Sequence, residues 1–365
     1  FLHGNKSMEE ILIRHAEAYE KHDIRFMLGR RVTGIDRAKK SLSLDNGETL
    51  TYDKLALCVG ARVRKHPLVP EGIKNAFYLR TVEDIEHIRA ALKPGGKAVI
   101  IGGGYIGLET AASLKKLGVD VSVLEMAPRV MARVTCEEIS QFYERVHAEE
   151  GVQIRTDCVI TGIKGTDRVE GVELADGETI EADVLIVGIG VEANTELARD
   201  TGLEVSNGIH VNAGGQTDDP DIYAAGDCTY FQSPQYGWLR LESVANAIEQ
   251  AKAAAASICG KPLPNHALPW FWSDQYDVKL QIAGFNAGYD EVLLRGDNSS
   301  GRSFTAFYLK KGVVIAADCV NRPGDFMISK RLVAEQAVFD ASQLRDESIP
   351  LKQILEDHAA HSKGQ

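Results

Sequence analysis

The chain has 365 residues, of which 44% are hydrophobic and 25% are charged, and its formal net charge is −11. Since a domain averages about 150 residues, this length predicts about two to three domains, each with its own core. The composition excludes a disordered or collagen-like chain. The longest apolar runs have the length of buried strands, so no membrane span is expected. The acidic charge argues against bulk electrostatic binding to nucleic acid.

The six cysteines form no pair at the spacing of a redox dithiol or of a zinc site. The chain starts without a charged and apolar leader, and its scattered thiols are typical of a reduced protein. We therefore expect a cytoplasmic protein that has no metal site and does not pass electrons through a dithiol.

The first predicted elements in the chain are a loop and an amphipathic helix within residues 1–24. Further on, residues 42–60 and 172–190 are two copies of one pattern, with seven of nineteen positions identical. Each copy predicts a strand, an Asn-Gly or Asp-Gly hairpin turn, a returning strand and a buried run that ends on glycine.

A glycine-rich turn precedes the second copy. Gly102, Gly104 and Gly107 fill the GxGxxG pattern after an apolar strand, and an amphipathic helix follows. In a dinucleotide-binding fold such glycines let the backbone approach a pyrophosphate at the helix N-terminus. Glu125, at the end of the next strand, is predicted to accept hydrogen bonds from ribose hydroxyls and to repel a 2′-phosphate, which favours NADH over NADPH.

Two arginines, Arg129 and Arg133, follow Glu125 and either soften the preference for NADH or are simply solvated. If the first copy of the repeat has the same plan, its own glycine fingerprint falls before Phe1. We therefore expect a first dinucleotide fold whose opening strand, turn, helix and strand precede this sequence. Asp227, in TDDPDIYAAGD, is expected either to bind a flavin nucleotide at a strand end or to cap the next helix.

The last third of the chain has a different pattern. After an alanine-rich helix near residues 241–259 come a proline-rich linker and a run of alternating strands, which predict a third domain with an antiparallel sheet. In PWFWSDQYD, we expect one of the indoles of Trp270 and Trp272 to face the core and the other a domain interface.

Together these segments resemble the FAD-dependent, NADH-using ferredoxin reductases of bacterial oxygenase systems, the putidaredoxin reductase and rubredoxin reductase group. The segments that carry the resemblance are YLRTVED (78–84), VIIGGGYIGLE (99–109), FYERVHAEEGV (142–152), VGIG (187–190), YAAGDC (223–228), RLESVANAIEQA (240–251), PWFWSDQYD (269–277) and DCVNRP (318–323).

The resemblance implies an α/β fold of two Rossmann-like, glutathione-reductase-like domains, which bind FAD and NAD, and a C-terminal α+β domain with an antiparallel sheet. We expect a discontinuous FAD domain of residues 1–82 and 206–265, an NADH domain of residues 83–205 and an interface domain of residues 266–365.

The resemblance also implies the residues that bind the cofactors. Tyr105, Glu109 and Trp272 are expected to line the nicotinamide and flavin. The NAD candidates are Gly102, Gly103, Gly104, Tyr105, Ile106, Gly107, Glu109, Glu125, Arg133 and Gly190. The FAD candidates are Val32, Gly60, Arg80, Gly226, Asp227, Glu242, Ser243, Val244 and Trp272.

The implied activity is the transfer of a hydride from NADH to FAD and of single electrons to a two-iron two-sulfur ferredoxin, which feeds a Rieske dioxygenase or cytochrome monooxygenase, for example in aromatic hydrocarbon catabolism. No side chain has to act as acid or base in the hydride transfer. Rubredoxin is an alternative acceptor, and a non-enzymatic flavoprotein like the apoptosis-inducing factors is an alternative class. We expect a monomer or weak homodimer.

An acidic ferredoxin would need a basic surface. The residues predicted to be available for one are Arg64, Lys65, Arg295, Lys310, Lys311, Lys330 and Arg331, and scattered solvated side chains are the alternative.

Overall fold

The computed structural model describes residues 2–265 and 267–362. The helices of these residues are α1 (Met8–Ile11), α2 (Ala16–Glu20), α3 (Val82–Ala91), α4 (Tyr105–Lys116), α5 (Glu137–Glu149), α6 (Glu196–Asp200), α7 (Val244–Ile258), α8 (Pro323–Glu335), α9 (Ala341–Arg345) and α10 (Leu351–Ser362). Within the same two ranges, no helix has the length and apolarity required to cross a bilayer.

The strands within the described residues fall into seven sheets. In the first part of the chain they are β1 (Val32–Asp36), β2 (Ser41–Leu44), β3 (Thr49–Thr51), β4 (Leu55–Leu57), β5 (Ala61–Val63), β6 (Ala76–Tyr78), β7 (Lys97–Ile101), β8 (Asp120–Leu124), β9 (Gln153–Arg155), β10 (Ile160–Lys164), β11 (Gly171–Leu174) and β12 (Thr179–Glu181). The others are β13 (Val184–Val187), β14 (Val191–Ala193), β15 (Ile209–Val211), β16 (Ile222–Ala224), β17 (Thr229–Ser233), β18 (Gly237–Leu239), β19 (Trp270–Gln275), β20 (Val278–Gly284), β21 (Glu291–Asp297), β22 (Ser303–Lys310) and β23 (Val313–Val320).

The chain forms two compact units. The first comprises residues His3–Arg62 and Val191–Ala267, and the second comprises Leu2 with Val63–Gly190 and Leu268–Gln365.

A parallel sheet in the second unit has the strand order β6-β13-β7-β8-β9. All four residues of β13 and four of the five residues of β7 are buried, as expected for parallel strands that are covered on both faces. Helices α4 and α5 bury Leu108, Leu114 and Phe142 in the same core. The predicted sequence of strand, glycine turn, helix and strand at residues 97–125 is confirmed.

An antiparallel sheet completes the second unit, with the order β19-β20-β23-β22-β21. Its core-facing side chains share one cluster with α4 and α5, and Phe142 and Phe304 meet edge to face with ring centroids 5.0 Å apart. The opposite side packs against α8, α9 and α10. The antiparallel sheet predicted for the last third of the chain is therefore confirmed.

The first unit is built from small sheets around α7. Strands β4 and β16 pair in parallel, and β17 lies between the parallel strand β15 and the antiparallel strand β18. Leu57, Ile209, Ile222 and Ala224 form its core. Helix α7 begins where the Ser243 hydroxyl accepts a hydrogen bond from the Asn246 N–H, and it presents alanines, including the buried Ala253, to the strands.

The sequence repeat corresponds to a structural repeat. Strands β1, β2 and β3 form one antiparallel meander and β10, β11 and β12 form another. The pairing register shifts at the same relative place in each, between Val32 and Gly34 and between Ile160 and Gly162. The hairpin glycines Gly47 and Gly177 have φ values of +84° and +89°, which favour glycine at both turns.

The amphipathic helix predicted for the start of the chain is wrong as a single element. The structure has two short helices, α1 and α2, and none of their residues is buried. Ile13, between them, is 92% exposed. Because a helix in a protein depends mainly on packing of its apolar face, a pattern with no core to pack against does not sustain a long helix.

Candidate functional site

The glycine turn lies between β7 and α4, at the carboxyl edge of the parallel sheet. Gly102 has φ +109°, and a Cβ at this position would lie 2.4 Å from the carbonyl oxygen of Gly188. Gly107, in the first turns of α4, is even more restricted, because its Cβ would lie 2.0 Å from the carbonyl oxygen of Gly102. Glycine is therefore required at both places for α4 to approach the sheet this closely.

Gly103 and Gly104 complete the turn. Gly104 is the N-cap of α4 and supplies no side-chain cap, and a Cβ there would meet no atom within 4 Å. Ile106, in the first turn of the helix, is 43% exposed. The start of α4 thus has unpaired backbone N–H groups next to open space, which is the arrangement that binds a pyrophosphate.

Glu125 follows β8 and lies beside the same turn. Its carboxylate accepts hydrogen bonds from the N–H groups of Gly103, at 2.6 Å, and of Ala127, at 2.8 Å. These bonds fix the carboxylate at the strand end, and each oxygen keeps a further lone pair for a ligand hydroxyl. The position agrees with the predicted ribose-binding role.

The two arginines after Glu125 have different environments. The Arg129 guanidinium donates to the Ser140 hydroxyl at 2.6 Å and to the backbone carbonyls of Ala132 and Cys136 at 3.1 and 3.2 Å. Arg129 is half-buried, and these bonds hold its loop, so its guanidinium is bound to the protein rather than free to bind a 2′-phosphate. Arg133 is exposed, and its Nη2 lies 3.9 Å from where a Cβ of Gly190 would be.

Tyr105 and Glu109 lie one turn apart on α4, and both contact β19. The rings of Tyr105 and Phe271 meet edge to face at 5.1 Å, and Glu109 Oε1 accepts a hydrogen bond from the Ser273 hydroxyl at 2.6 Å. Burial raises the pKa of Glu109, and the hydrogen bond from Ser273 partly opposes this. Burial also raises the pKa of Tyr105 well above its ordinary value. These two NAD candidates are thus desolvated side chains on the helix that starts at the glycine turn.

Trp270 and Trp272 share one face of β19, with ring centroids 5.5 Å apart. The expectation that alternation directs the two indoles to different sides is wrong, because residues two apart in a strand point the same way. Their surroundings nevertheless differ: Trp270 packs against Phe326 at 5.7 Å, whereas Trp272 is 41% exposed.

The FAD candidates of the first unit cluster at two places. Gly226, with φ +86°, and Asp227 follow β16, and the Gly226 N–H donates to Gln250 Oε1 of α7 at 2.8 Å. Ser243 caps α7, and Val244, its first residue, is 58% exposed.

The other FAD candidates are more scattered. Glu242 pairs with Arg240 at 2.5 Å, Val32 begins β1, and Gly60, with φ +60°, lies between β4 and β5. Arg80 and Trp272 belong to the second unit. Arg80 is exposed directly before α3, and its N–H donates to the carboxylate of Asp84.

Sequence reasoning missed the side chains behind Glu109. Ser273 and Gln275 of β19 and His147 of α5 are each at most 1% exposed, and they are joined by hydrogen bonds. The available signal was the alternation of polar residues in WSDQYD, which places two of them on a buried face.

One predicted basic residue does not belong to a surface. Arg295 is 4% exposed and donates to the backbone carbonyls of Leu344, Asp346 and Ile349. Its role is to hold the segment around α9, so it is removed from the basic surface predicted for a ferredoxin. Lys330, in contrast, lies over the Trp270 ring at 5.4 Å.

Both expected cofactors fit the residues present. For NAD(H), Gly102 and Gly107 let α4 approach the sheet closely, Gly104 leaves open space at the start of the helix, and Glu125 supplies the carboxylate that ribose hydroxyls require. For FAD, Gly226 and Asp227 follow a parallel strand and the capped N-terminus of α7 lies in the same unit. No group of three or more metal-ligating side chains occurs in the part of the chain that the structure describes.

Comparison with known proteins places the chain in a family. Residues 1–253 match the pyridine nucleotide-disulphide oxidoreductase family, and residues 270–355 match the reductase C-terminal family. Putidaredoxin reductase from Pseudomonas putida is 43% identical, over 97% of this chain and 86% of that protein. The ferredoxin reductase subunit of 5,5′-dehydrodivanillate O-demethylase from a Sphingobium species is 39% identical, over 97% of this chain and 87% of that protein.

The crystal structure of the covalent complex of putidaredoxin reductase with putidaredoxin gives the same result. Its reductase has a TM-score of 0.94 and 42% identity, over 98% of this chain and 87% of that chain. The predicted fold class and the predicted cofactors, FAD and NAD(H), are confirmed. The chain therefore belongs to the pyridine nucleotide-disulphide oxidoreductase family and, within it, to the NADH-dependent ferredoxin reductases that its sequence motifs predict.

Proposed function

We propose that the chain passes a hydride from NADH to FAD and then single electrons to a two-iron two-sulfur ferredoxin, which feeds an oxygenase. The observation that carries this proposal is a glycine turn that fits NAD in a chain whose six cysteines are free thiols at no dithiol spacing. Because these residues offer no dithiol to receive the electrons, we favour their transfer to another molecule. Relatives named for putidaredoxin and for an O-demethylase system support a ferredoxin acceptor and an oxygenase system.

The side chains have separate tasks in this scheme. When bound, FAD supplies the acceptance of two electrons together and their release one at a time. The glycine turn and the start of α4 bind the pyrophosphate of NADH, and Glu125 binds its ribose. Tyr105 and Glu109 exclude water from the nicotinamide, and Glu109 orients the carboxamide. Asp227 and the N-terminus of α7 hold the flavin nucleotide.

Glu125 gives the first testable prediction. Glu125→Gln keeps one acceptor oxygen but loses the charge. We expect about a tenfold rise in the KM for NADH and about a tenfold loss of selectivity against NADPH. The reason is that a hydrogen bond to a charged group contributes about 1.5–3 kcal/mol. Steady-state kinetics with both coenzymes measures this. Glu86→Gln, an exposed residue of α3, is the matched control. An unchanged ratio of NADH to NADPH efficiency contradicts the assignment.

Trp272 is proposed as the aromatic residue on the side where electrons leave. It is 41% exposed, and Lys330 lies near Trp270 on the same face of β19. We expect Trp272→Ala to raise the KM for the ferredoxin about tenfold, because loss of an interfacial indole costs about 1.4 kcal/mol or more. NADH oxidation with ferricyanide as acceptor should fall less than ferredoxin-dependent turnover, because ferricyanide does not need the protein interface.

Ferredoxin-dependent reduction of cytochrome c measures the effect of Trp272→Ala. Trp238→Ala is the control, because Trp238 is 47% exposed in the first unit. If both variants lose ferredoxin turnover equally, Trp272 has no specific role in electron exit.

The remaining parts of the proposal concern organisation. We place the FAD domain at residues 1–82 and 206–265, the NADH domain at 83–205 and the interface domain at 266–365. A monomer or weak homodimer and a cytoplasmic location follow the sequence analysis, and the six free thiols are consistent with a reducing compartment.

The decisive experiment supplies the full chain with FAD and NADH and measures cytochrome c reduction with a two-iron two-sulfur ferredoxin or with rubredoxin. Reduction that depends on the ferredoxin supports the proposal. Reduction that depends on rubredoxin alone favours the rubredoxin reductase alternative, and no NADH oxidation with any acceptor favours the non-enzymatic flavoprotein.

A further inference from the structure

A buried chain of hydrogen bonds crosses the second unit from α5 to α4 by way of β19. Tyr276 contacts His147 Nδ1 at 2.9 Å, and His147 Nε2 contacts Gln275 Oε1 at 2.8 Å. Gln275 Nε2 then lies 3.1 Å from the Ser273 hydroxyl, which lies 2.6 Å from Glu109 Oε1. The chain thus ends on the carboxylate that we assign to the NADH site.

When Glu109 is ionised, the chemistry of these groups fixes the direction of every bond. The ionised Glu109 can only accept, so the Ser273 hydroxyl donates to it and must accept from the Gln275 amide. Gln275 Oε1 then accepts from His147 Nε2–H. Burial lowers the pKa of His147, which keeps the ring neutral and leaves Nδ1 to accept from the Tyr276 hydroxyl. All four donors therefore point towards Glu109.

Burying this set of polar side chains destabilises the fold unless each of them has its hydrogen-bond partners. His147, Ser273 and Gln275 are at most 1% exposed, and a buried polar group without a partner loses about 1–3 kcal/mol. Aligned hydrogen bonds also strengthen one another in a medium of low dielectric. A hydrophobic core would be simpler to build between α5 and β19, so the aligned chain points to a task beyond packing.

We propose that His147 and Gln275 are positioning residues for NADH turnover, which act through Ser273 to hold the Glu109 carboxylate ionised and oriented on α4. This inference rests on the proposed function, because it assigns Glu109 to the nicotinamide. The inference adds residues of two further elements, α5 and β19, whose side chains act on Glu109 without contacting the coenzyme.

Other titratable groups face the two ends of the chain. Asp274 of β19 opposes ionisation of Glu109, and the Tyr143 hydroxyl of α5 and the Tyr105 hydroxyl of α4 also face Glu109. Glu150, after α5, faces His147. Since Asp274 and burial both favour protonated Glu109, the Ser273 donor is the contact that opposes them.

The test compares Gln275→Leu, Ser273→Ala and His147→Phe with the wild-type chain. Gln141→Leu, on the exposed face of α5, is the matched control, and Ser273→Thr keeps the hydroxyl and should rescue Ser273→Ala. Carbon-13 NMR of glutamate-labelled protein follows the Glu109 carboxyl directly, with its signal assigned by Glu109→Gln. Stopped-flow kinetics of the FAD-loaded chain gives kcat/KM for NADH against pH.

We expect the three interrupted variants to raise the pKa of Glu109 and to lower kcat/KM for NADH about tenfold near pH 6, with recovery as the pH rises. A lower melting temperature with an unmoved Glu109 titration would make the chain purely structural and overturn the inference. A wild-type chain that oxidises no NADH overturns the proposed function instead. The NMR titration needs no turnover, so the two failures are distinguishable.

Discussion

Gly107→Ala is expected to reduce kcat/KM for NADH about 100-fold, because displacement of a coenzyme-binding element by about 1 Å has an effect of this size. The added Cβ would lie 2.0 Å from the carbonyl oxygen of Gly102, which is backbone and cannot swing aside. Either α4 moves away from the sheet or the turn opens, and the pyrophosphate loses its N–H donors in both cases. Steady-state kinetics with NADH measures the loss of coenzyme binding, and circular dichroism measures the change in structure.

Gly324→Ala is the matched control for this substitution. Gly324 lies in the first turn of α8 in the same unit, and a Cβ there meets no atom within 4 Å. We expect its NADH kinetics to equal those of the wild-type chain. Normal NADH kinetics in Gly107→Ala would show that the helix tolerates the displacement, and the assignment of the turn to NADH would be wrong.

Asp318→Asn is expected to stabilise the protein above neutral pH. Asp318 is 1% exposed, and burial raises its pKa from 3.8 to about 7. The groups that face it are Tyr105, Tyr143, Tyr308 and Cys136, whose pKa values burial also raises, so they do not neutralise its charge near pH 7. The buried Asp318 carboxyl therefore has to ionise among neutral groups.

The pH dependence follows from linkage. Between about pH 4 and pH 7 the folded chain retains a proton that the unfolded chain releases, so the free energy of unfolding falls as the pH rises. The difference in pKa corresponds to about 4 kcal/mol in total. Asp318→Asn keeps an oxygen to accept from the Tyr308 hydroxyl and removes this loss.

Urea unfolding of the wild-type chain and the variant at about pH 5 and about pH 8 provides the measurement. We expect Asp318→Asn to gain stability over the wild type at the higher pH and to lose most of that gain at the lower pH. Glu335→Gln, an exposed carboxyl of α8, is the control. A difference that does not change with pH would show that the pKa of Asp318 is the same in the folded and the unfolded chain, and the prediction would be wrong.

The sequence was most informative where the backbone conformation or a close approach admits only glycine. The close approaches at Gly102 and Gly107 and the paired hairpin glycines Gly47 and Gly177 have local signatures, and each predicted feature is present. Glu125 was predictable for the same reason, because its distance from the glycine turn is set by one helix and one strand. The flavin nucleotide residues come from the family resemblance and stay a prediction.

The remaining features depend on contacts between distant segments. Nothing in the sequence near Glu109 indicates that Ser273 contacts it or that Gln275 links Ser273 to His147, since these residues meet only after β19 packs on α4 and α5. The sequence suggests that Arg295 is a solvated side chain. In the structure, backbone carbonyls in and after α9 accept hydrogen bonds from its guanidinium. Periodicity also failed for residues 1–24, where the core that an amphipathic helix requires is absent from its surroundings.

Strand β19 divides two kinds of chemistry between its faces. On one face, Phe271, Ser273 and Gln275 point to α4 and α5. On the other face, Trp270 and Trp272 point to the side of α8. Substitutions on one face therefore leave the other face's neighbours in place. If Trp272 contacts the ferredoxin as proposed, substitutions on its face of this six-residue strand change the fit to the acceptor protein and leave the hydrogen bond to Glu109 on the other face in place.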